Sequence, residues 1–455
     1  MAKPATKEIS YVDPLTAFQP FSGDPVAVLL DSADEGGGRG RYAFLAVDPV
    51  EVIVGDAEGR FVEDPFIKMR SMIHVERLET DPTIPPFQTG ICGFLGYELG
   101  GLIEDLPQHK GGNEFPSIGV GLYDTIVAFD TFERRAWIVA SDIGPGRSSP
   151  MRRIEAMAER MSDIPTLPAL TDSSVASWEW ELDRQAYEDA VQKAIDYIYA
   201  GDIFQANITA RVMTQLPETL DPFTLYRRLR WATPAPFAAY VSCGEENKLL
   251  CASPERFISL DASGRISARP IKGTRPRGDV PELDAALAVE LTESEKDRAE
   301  NLMIVDLLRN DISRIALIGS VGVNALCELE TFTSVHHLVS EVVGRLRPGF
   351  DVVDLFRATF PGGSITGAPK IRAMEIINEL EPSKRGAYCG SVFWAGLDGA
   401  MDSNIIIRSL TISGDTVSAH AGGGIVADSE PASEYEEMRT KINPLLASIS
   451  GEQAS

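Results

Sequence analysis

Two predicted helices each carry a pair of carboxylates three residues apart. Asp297 and Glu300 lie within residues 295–301, and Glu434 and Glu437 lie early in the last predicted helix. Residues at i and i+3 share a helix face, so each pair projects in one direction. Mg²⁺ prefers oxygen ligands and often bridges a few carboxylates to an anionic substrate, so this spacing suits a Mg²⁺ site. Acidic residues in a first helical turn also occur on solvated faces, where they favour the helix dipole.

Two glycine-rich segments could bring backbone amides close to a ligand. In residues 360–370, Gly362 and Gly367 have the spacing of a nucleotide phosphate loop, but Ala-Pro follows where Lys and Ser or Thr are needed. A turn feeding a helix that begins with Pro remains, and its free N–H groups could hold a carboxylate. In residues 420–425, three glycines after a predicted strand allow close approach to a ligand. An ordinary turn or bulge explains each segment equally well.

Two basic side chains, Arg408 and Lys272, lie beside apolar residues, where a positive charge is costly without a partner or a function. Arg408 interrupts an apolar stretch, residues 405–410, that we interpret as a strand. An arginine there needs a bound carboxylate or a buried acidic side chain as its partner. Lys272 lies between a short apolar run and a glycine within residues 269–275. A crowded lysine can act as a nucleophile, whereas a solvated loop lysine needs no such role.

Charge and composition exclude several classes of protein. The 455 residues carry a formal net charge of -25 without a long basic run, which disfavours nucleic acids and anionic membranes as partners. Five scattered cysteines without a C-x-x-C pair argue against a disulfide framework or a zinc site. The chain opens without an apolar signal core and has no run near the ~18 apolar residues of a membrane span, so we predict a cytoplasmic location.

The elements that must position these groups do not alternate as strand, helix, strand, so we predict the α+β class. Residues 8–162 form a first region, residues 163–177 resemble a linker, and residues 178–452 form a second region that holds the segments above. In the first region we predict strands at 26–30, 42–47, 50–54 and 136–140, and a helix at 150–162. In the second region we predict helices at 183–201, at 294–312, from 369 and at 431–449, and strands at 237–241, 249–252, 390–394, 405–412 and 417–421.

Several strings, in this order, resemble the chorismate-utilising enzyme family. They are residues 253–257 (SPERF), 269–274 (RPIKGT), 297–311 (DRAENLMIVDLLRND), 337–340 (HLVS), 363–374 (GSITGAPKIRAM) and 421–426 (AGGGIV). Together they cover most of residues 180–450, and residues 40–45 and 93–98 match more weakly. The resemblance implies the family's fold, which is two large, mostly antiparallel sheets packed face to face with helices outside.

The resemblance also implies a role for each candidate residue. Glu300 and Glu437 match Mg²⁺ ligands, with Glu434 close by and with Asp297 at a position where a Glu is common in the family. Lys272 matches a nucleophile and Glu255 a general acid. The positions that match contacts to chorismate are His337, beside the reacting ring, and Ser364, Tyr388, Arg408, Gly422, Gly423 and Lys441.

Residues 270–274 indicate a branch within the family. Enzymes that form anthranilate carry Ala in the middle of this string, whereas Lys272 is typical of enzymes that form 4-amino-4-deoxychorismate for 4-aminobenzoate and folate synthesis. Asn207 also resembles that branch. The resemblance implies a covalent Lys272 adduct and ammonia as the second substrate. No Cys-His-acid glutaminase set is visible, so glutamine-derived ammonia would come from a separate class I amidotransferase subunit.

Two other functions stay open from the sequence. One is the anthranilate-forming activity of the same family, and the other is a ligand-binding relative that no longer catalyses. In the family the first region can hold tryptophan near a Leu-Leu-Glu-Ser segment. The comparable residues here, 29–32, read Leu-Leu-Asp-Ser, so tryptophan stays a candidate ligand.

Overall fold

The strands form two antiparallel sheets. The computed structural model describes residues 3–33, 40–56, 60–74, 77–107, 111–143, 146–170, 177–332 and 335–450. Within these residues the strands are β1 Ala5–Ile9, β2 Val26–Asp31, β3 Tyr42–Val47, β4 Glu51–Val54, β5 Gly90–Leu95, β6 Ile118–Tyr123, β7 Thr125–Asp130, β8 Arg135–Ala140, β9 Glu179–Trp180, β10 Gln205–Gln215, β11 Phe237–Cys243, β12 Asn247–Ser253, β13 Arg256–Leu260, β14 Arg265–Ala268, β15 Ile271–Pro276, β16 Gly322–Thr331, β17 Val335–Arg345, β18 Gly367–Ala368, β19 Ser391–Gly396, β20 Met401–Asn404, β21 Ser409–Ser413 and β22 Thr416–Ile425.

Helices cover the outer faces of both sheets. They are α1 Pro14–Phe18, α2 Pro65–Ile73, α3 Pro150–Arg160, α4 Arg184–Ala200, α5 Pro222–Ala232, α6 Pro281–Glu293, α7 Glu295–Ser313, α8 Val352–Thr359, α9 Lys370–Leu380 and α10 Pro431–Ser450. Short 3₁₀ turns occur at Gln19–Phe21, Tyr97–Leu102 and Gly363–Ile365. None of these helices is both long enough and apolar enough to cross a bilayer, among the residues that the structure describes.

Both regions of the sequence contribute strands to both sheets. One sheet has twelve strands in the order β1-β8-β7-β3-β2-β11-β12-β21-β22-β10-β18, with β9 on β10. The other has ten in the order β15-β17-β14-β13-β20-β19-β5-β6-β4, with β16 on β17. Strand β2 pairs with β11, and β5 pairs with β19. Residues 8–162 and 178–452 therefore share their sheets, and part of the segment between them, 171–176, lies outside the described residues.

Three apolar clusters define four layers. The cluster between the sheets joins Phe44 of the larger sheet to Phe94 and Trp394 of the smaller one. A second cluster packs helices α1, α3, α4, α5, α9 and α10 on the outer face of the larger sheet. A third packs α2, α7 and α8 on the smaller sheet. This order of helices, sheet, sheet and helices confirms the predicted fold class.

Local signals set the helix ends as predicted. In α4 the Asp183 side chain accepts a hydrogen bond from the Ala186 amide at 2.9 Å, and Gly201 ends the helix with φ of 84°. Ser294 caps α7 through the Asp297 amide. The prediction that Pro369 is the first helical residue was off by one position, because Pro369 is the cap and α9 begins at Lys370.

The predicted strand at 405–412 is wrong in its first half. Strand β20 ends at Asn404 and β21 begins at Ser409, so Arg408 lies in the connection between them, with φ of 50°. The apolar residues that suggested a strand are buried because this connection passes between the sheets, where Ile406 joins the inter-sheet cluster. The apolar residues at 405–407 therefore indicated that the segment is buried, but they did not indicate that it pairs as a strand.

Candidate active site

Most of the predicted catalytic and substrate-contacting side chains meet at one cavity of about 200 Å³. Its walls come from β10, β22, α10, the turn after β12, strand β15 and the connections before β19 and β21. The predicted residues that line it are Glu255, Lys272, Ser364, Tyr388, Arg408, Gly422 and Lys441. The fold therefore brings together predicted site residues that range from position 255 to position 441 of the sequence.

Glu255 lies in a braced turn between β12 and β13. The Ser253 hydroxyl accepts a hydrogen bond from the Glu255 amide at 3.2 Å and donates to the Ile405 carbonyl at 2.6 Å. Burial raises the pKa of Glu255, and the Lys272 ammonium and the Ser364 hydroxyl offset part of that rise. A carboxyl group with a raised pKa keeps its proton to higher pH, as a general acid must.

Lys272 occupies an irregular stretch of β15. The pairing of β15 with β17 shifts between Ile271 and Thr274, so Lys272 and Gly273 lie outside the regular ladder. Gly273 has φ of 84°, and a Cβ there would lie 2.9 Å from Asp297. This local geometry aims the Lys272 side chain at the cavity, within electrostatic reach of Glu255, Glu300 and Glu437.

Arg408 presents a guanidinium to the cavity. Among the described residues, no carboxylate lies within ion-pair distance of it. The side chain is exposed at the cavity, although the surrounding walls desolvate the guanidinium enough to lower its pKa. Of the two partners predicted for Arg408, the buried acidic side chain is absent from the described residues. The exposed guanidinium is solvated and is available to a ligand carboxylate, which it can bind through two parallel hydrogen bonds.

The glycines of β22 serve the strand pairing first. A Cβ on Gly422 would lie 2.1 Å from the Ile208 carbonyl oxygen, and a Cβ on Gly424 would lie 2.4 Å from the Gln205 side chain. Gly422 and Gly424 line the cavity. Gly423 points to the other face, where a Cβ would lie 3.0 Å from Glu434 Oε2. Close strand approach thus accounts for the glycines, and it leaves a flat cavity floor.

Three carboxylates from α7 and α10 gather beside the cavity. Burial raises the pKa of Glu300, and the charge of Glu437 adds to the rise. Burial also raises the pKa of Glu434, whose Oε1 accepts a 2.7 Å hydrogen bond from Ser429. Glu437 is exposed, so the packing around it raises its pKa only in part, and Lys441, with Nζ at 2.7 Å from Oε1, lowers its pKa overall.

This carboxylate cluster suits a hard cation by its chemistry. The charge of Glu437 raises the pKa of both Glu300 and Glu434, and a divalent cation would relieve such crowding of like charges. Carboxylate oxygens are the ligands that Mg²⁺ takes. No group of three or more His, Cys, Asp and Glu side chains in the described part of the chain is already close enough to coordinate a metal ion. The donor types fit Mg²⁺, with Glu300, Glu434 and Glu437 as the residues that would hold it.

Asp297, His337 and Lys441 have partners within the protein. Asp297 Oδ2 lies 3.3 Å from Arg275 Nη2, and neither Asp297 nor His337 lines the cavity. His337 Nδ1 lies 2.9 Å from Thr274 Oγ1 on the neighbouring strand. Lys441 lines the cavity and donates to the Gly422 carbonyl at 2.9 Å.

Sequence reasoning missed the buried Arg385, which braces the cavity wall. Its guanidinium donates to Glu381 Oε1 at 2.6 Å, to the Ile365 carbonyl at 2.9 Å and to the Asn207 carbonyl at 2.6 Å. The Glu381 carboxylate also accepts from the Thr209 amide at 2.9 Å. The four-residue spacing of Glu381 and Arg385 could have indicated that they form an ion pair. The burial of that pair could not be predicted, because it depends on strands that are distant in the sequence.

A second cavity, of about 410 Å³, lies between the sheets and is lined by Leu30, Asp31 and Ser32 of the predicted ligand segment. Asp31 is buried and accepts from Arg230 Nε at 2.6 Å and from the Tyr226 hydroxyl at 3.0 Å. Arg256, directly after Glu255, also lines this cavity. The volume is in the range of small-molecule sites.

Comparisons with known proteins agree with this geometry. The family described as chorismate binding enzyme matches residues 26–447. The chain is 39% identical to aminodeoxychorismate synthase component 1 of Klebsiella aerogenes, over 94% of this chain and 95% of that protein. It is 38% identical to anthranilate synthase component 1 of Thermus thermophilus, over 96% and 95%. The crystal structure of anthranilate synthase component I from Streptococcus pneumoniae is similar with a TM-score of 0.77 and 31% identity, covering 89% of this chain and 92% of that one.

Proposed function

This chain belongs to the family of chorismate binding enzymes, and from that premise we propose that it converts chorismate and ammonia to 4-amino-4-deoxychorismate. The relatives named aminodeoxychorismate synthase and anthranilate synthase are nearly equal in identity to the chain, at 39% and 38%. Overall identity therefore does not separate the two activities. The Lys272 amine at the cavity carries the proposal, because it supplies a nucleophile where the anthranilate-forming enzymes have Ala.

The chemistry follows from the groups around the cavity. The Lys272 ammonium first gives up a proton to solvent. The resulting amine attacks C2 of chorismate, both ring double bonds shift, and the C4–O bond breaks. Glu255 gives its proton to the departing hydroxyl, which leaves as water. Ammonia then adds at C4, the double bonds shift back, and the Lys272–C2 bond breaks, which releases the Lys272 amine. The ammonium group formed at C4 returns a proton to the Glu255 carboxylate. A covalent intermediate thus replaces one difficult displacement by two easier ones.

Binding groups hold the substrate for these steps. Arg408 supplies a guanidinium for one carboxylate, and Tyr388, Ser364 and the floor at Gly422 complete the walls. We propose Mg²⁺ as the cofactor, held by Glu300, Glu437 and Glu434. When bound it supplies charge for the other substrate carboxylate. Asp297 contributes to this set only if it gives up its ion pair with Arg275.

The proposal includes a partner that supplies ammonia. The relatives carry the name component 1, and the sequence shows no glutaminase residues of its own. A class I glutamine amidotransferase subunit would therefore deliver ammonia from glutamine, and free ammonia would replace it in vitro.

A small ligand in the inter-sheet cavity is a second proposal, with tryptophan as the candidate. Residues 30–32, from the segment comparable to the family's tryptophan pocket, line this cavity. Asp31 is already paired with Arg230, so an amino group would have to share that carboxylate. Calorimetric titration with tryptophan tests the proposal, and the absence of heat at saturating ligand contradicts it.

One product analysis tests the main activity. The purified chain is incubated with chorismate, MgCl₂ and an ammonium salt at alkaline pH, and the products are separated by chromatography. The expected product is 4-amino-4-deoxychorismate, which a lyase converts to 4-aminobenzoate. Anthranilate as the product would show that Lys272 does not decide the reaction, and the absence of both products would favour the non-catalytic alternative.

A further inference from the structure

His420 lies in the wall of the active-site cavity. It is 6% exposed, and it faces the cavity from β22, two residues before Gly422 of the floor. Its ring stacks on the ring of Tyr388, with centroids 5.0 Å apart and an interplanar angle of 11°. Neither the predicted contact set nor the proposed chemistry uses this side chain.

The imidazole ring of His420 is uncharged, and its nitrogen atoms form no hydrogen bond to the part of the chain that the structure describes. Burial lowers the pKa of His420 well below its usual value, and the Arg211 and Arg385 guanidinium groups lower it further. The Nε2 atom is buried and has no hydrogen-bond partner among the described residues. The Nδ1 atom of His420 likewise forms no hydrogen bond with the described residues.

The buried Nε2 has no partner in either tautomer, so Nδ1 is the ring nitrogen that can meet a ligand in the cavity. A ligand rich in carboxylate and hydroxyl oxygens offers acceptors, which favours the tautomer with the proton on Nδ1. A neutral imidazole in that tautomer presents one donor to whatever occupies the cavity. The stacked Tyr388 ring fixes its direction.

We propose that the Nδ1–H group of His420 donates a hydrogen bond to an oxygen of the bound substrate, which makes His420 a substrate-binding residue beside Tyr388. The inference rests on the proposed function only in naming chorismate as the occupant. It adds an uncharged contact to those of the cations Arg408 and Lys441, which line the same cavity.

Three substitutions separate the parts of the proposal. Asn at position 420 keeps a donor near the place of Nδ1, Gln places its amide near Nε2, and Phe keeps the stack on Tyr388 without any donor. We expect His420→Phe to raise the KM for chorismate about tenfold, the size of one hydrogen bond, with a smaller change in kcat. His420→Asn should restore most of the affinity, and His420→Gln should not.

The readouts separate this inference from the proposed activity. Chorismate affinity is measured by calorimetry without ammonia, so it is obtained even if the chain makes neither product. Thermal melting of each variant checks folding. Equal affinity of wild type and His420→Phe, or equal rescue by Asn and Gln, would overturn the proposal.

A measurement on the wild-type chain covers the case in which the variants do not fold. In ¹⁵N spectra of histidine-labelled protein, His420 should show the tautomer with the proton on Nδ1, and this signal should shift when chorismate is added. A proton on Nε2, or a signal that chorismate leaves unmoved, contradicts the proposed contact.

Discussion

Glu255, in the turn between β12 and β13, and Lys272, on β15, face the same cavity, and the charge of Lys272 acts on the Glu255 carboxyl. Burial raises the pKa of Glu255, and the nearby Lys272 ammonium restrains that rise. Removal of the ammonium in Lys272→Ala should therefore raise the pKa of Glu255 further. Infrared difference spectra over a pH series report the protonated carboxyl band, with Glu255→Gln identifying its signal. An unchanged titration in Lys272→Ala would show that the two groups do not interact.

Lys272→Ala should also abolish the covalent route. Loss of a nucleophile or proton-transfer group costs about 10²- to 10⁴-fold in rate, so formation of 4-amino-4-deoxychorismate should fall by at least the lower figure. Lys193→Ala, an exposed residue on α4, is the matched control and should keep wild-type activity. Some anthranilate from Lys272→Ala would support the covalent mechanism. Undiminished 4-amino-4-deoxychorismate would refute it.

Glu255→Gln tests the general acid. The variant should bind chorismate as the wild type does but lose about 10²- to 10⁴-fold in kcat. Because the raised pKa of Glu255 keeps the acid protonated, wild-type kcat should fall as pH rises through that pKa. Retention of kcat in Glu255→Gln, measured by product chromatography, would assign the proton transfer to another group.

Arg408→Met should weaken chorismate binding more than it slows chemistry. A hydrogen bond to a charged group contributes about 1.5–3 kcal/mol, so the KM should rise by roughly 10- to 150-fold. Arg439→Met on α10 is the control, because that guanidinium lies over Trp180 and does not line the cavity. Steady-state kinetics separate KM from kcat. A KM that stays at the wild-type value would leave the unpaired guanidinium without a role.

Mg²⁺ should stabilise the folded chain through α7 and α10. A ligand that binds only the folded state raises the melting temperature, and Glu437→Gln should remove most of this rise. Glu436→Gln, one residue earlier on α10, is the control, because Glu436 pairs with Arg184 at 3.0 Å. Differential scanning calorimetry with and without MgCl₂ gives the comparison. Equal Mg²⁺ effects in both variants would remove Glu437 from the metal site.

His420 should make the fold sensitive to acid. Its folded-state pKa is lowered, so its contribution to stability is present above the unfolded pKa, about 6.5, and is lost as pH falls below it. The groups that face it are Arg211, Arg385 and Tyr388. Between pH ~6.5 and ~5.5 the wild type should lose about 1 kcal/mol more than His420→Asn does. Urea unfolding at both values measures this, and parallel curves would contradict it.

The sequence by itself determined the features that depend on local chemistry. Caps at Asp183 and Ser294 set the starts of α4 and α7, because a side-chain oxygen satisfies free amides within one turn. The family strings identified Lys272 and Glu255, because they preserve residue types at fixed places in the chain. The sequence patterns also gave the α+β class, whereas the two-sheet arrangement came from the resemblance.

Only the tertiary structure decided which groups meet and which are already paired. Arg408 was misplaced on a strand, because a buried connection and a buried strand are equally apolar. The pairing of Asp297 with Arg275 depends on how β15 packs on α7, and local spacing carries no record of that contact. The uncharged state of His420 comes from burial and from two guanidinium groups that other strands and turns bring to it. The pKa and the ion pairs of a side chain depend on the groups that surround it in three dimensions. They therefore cannot be predicted from the order of residues along the chain.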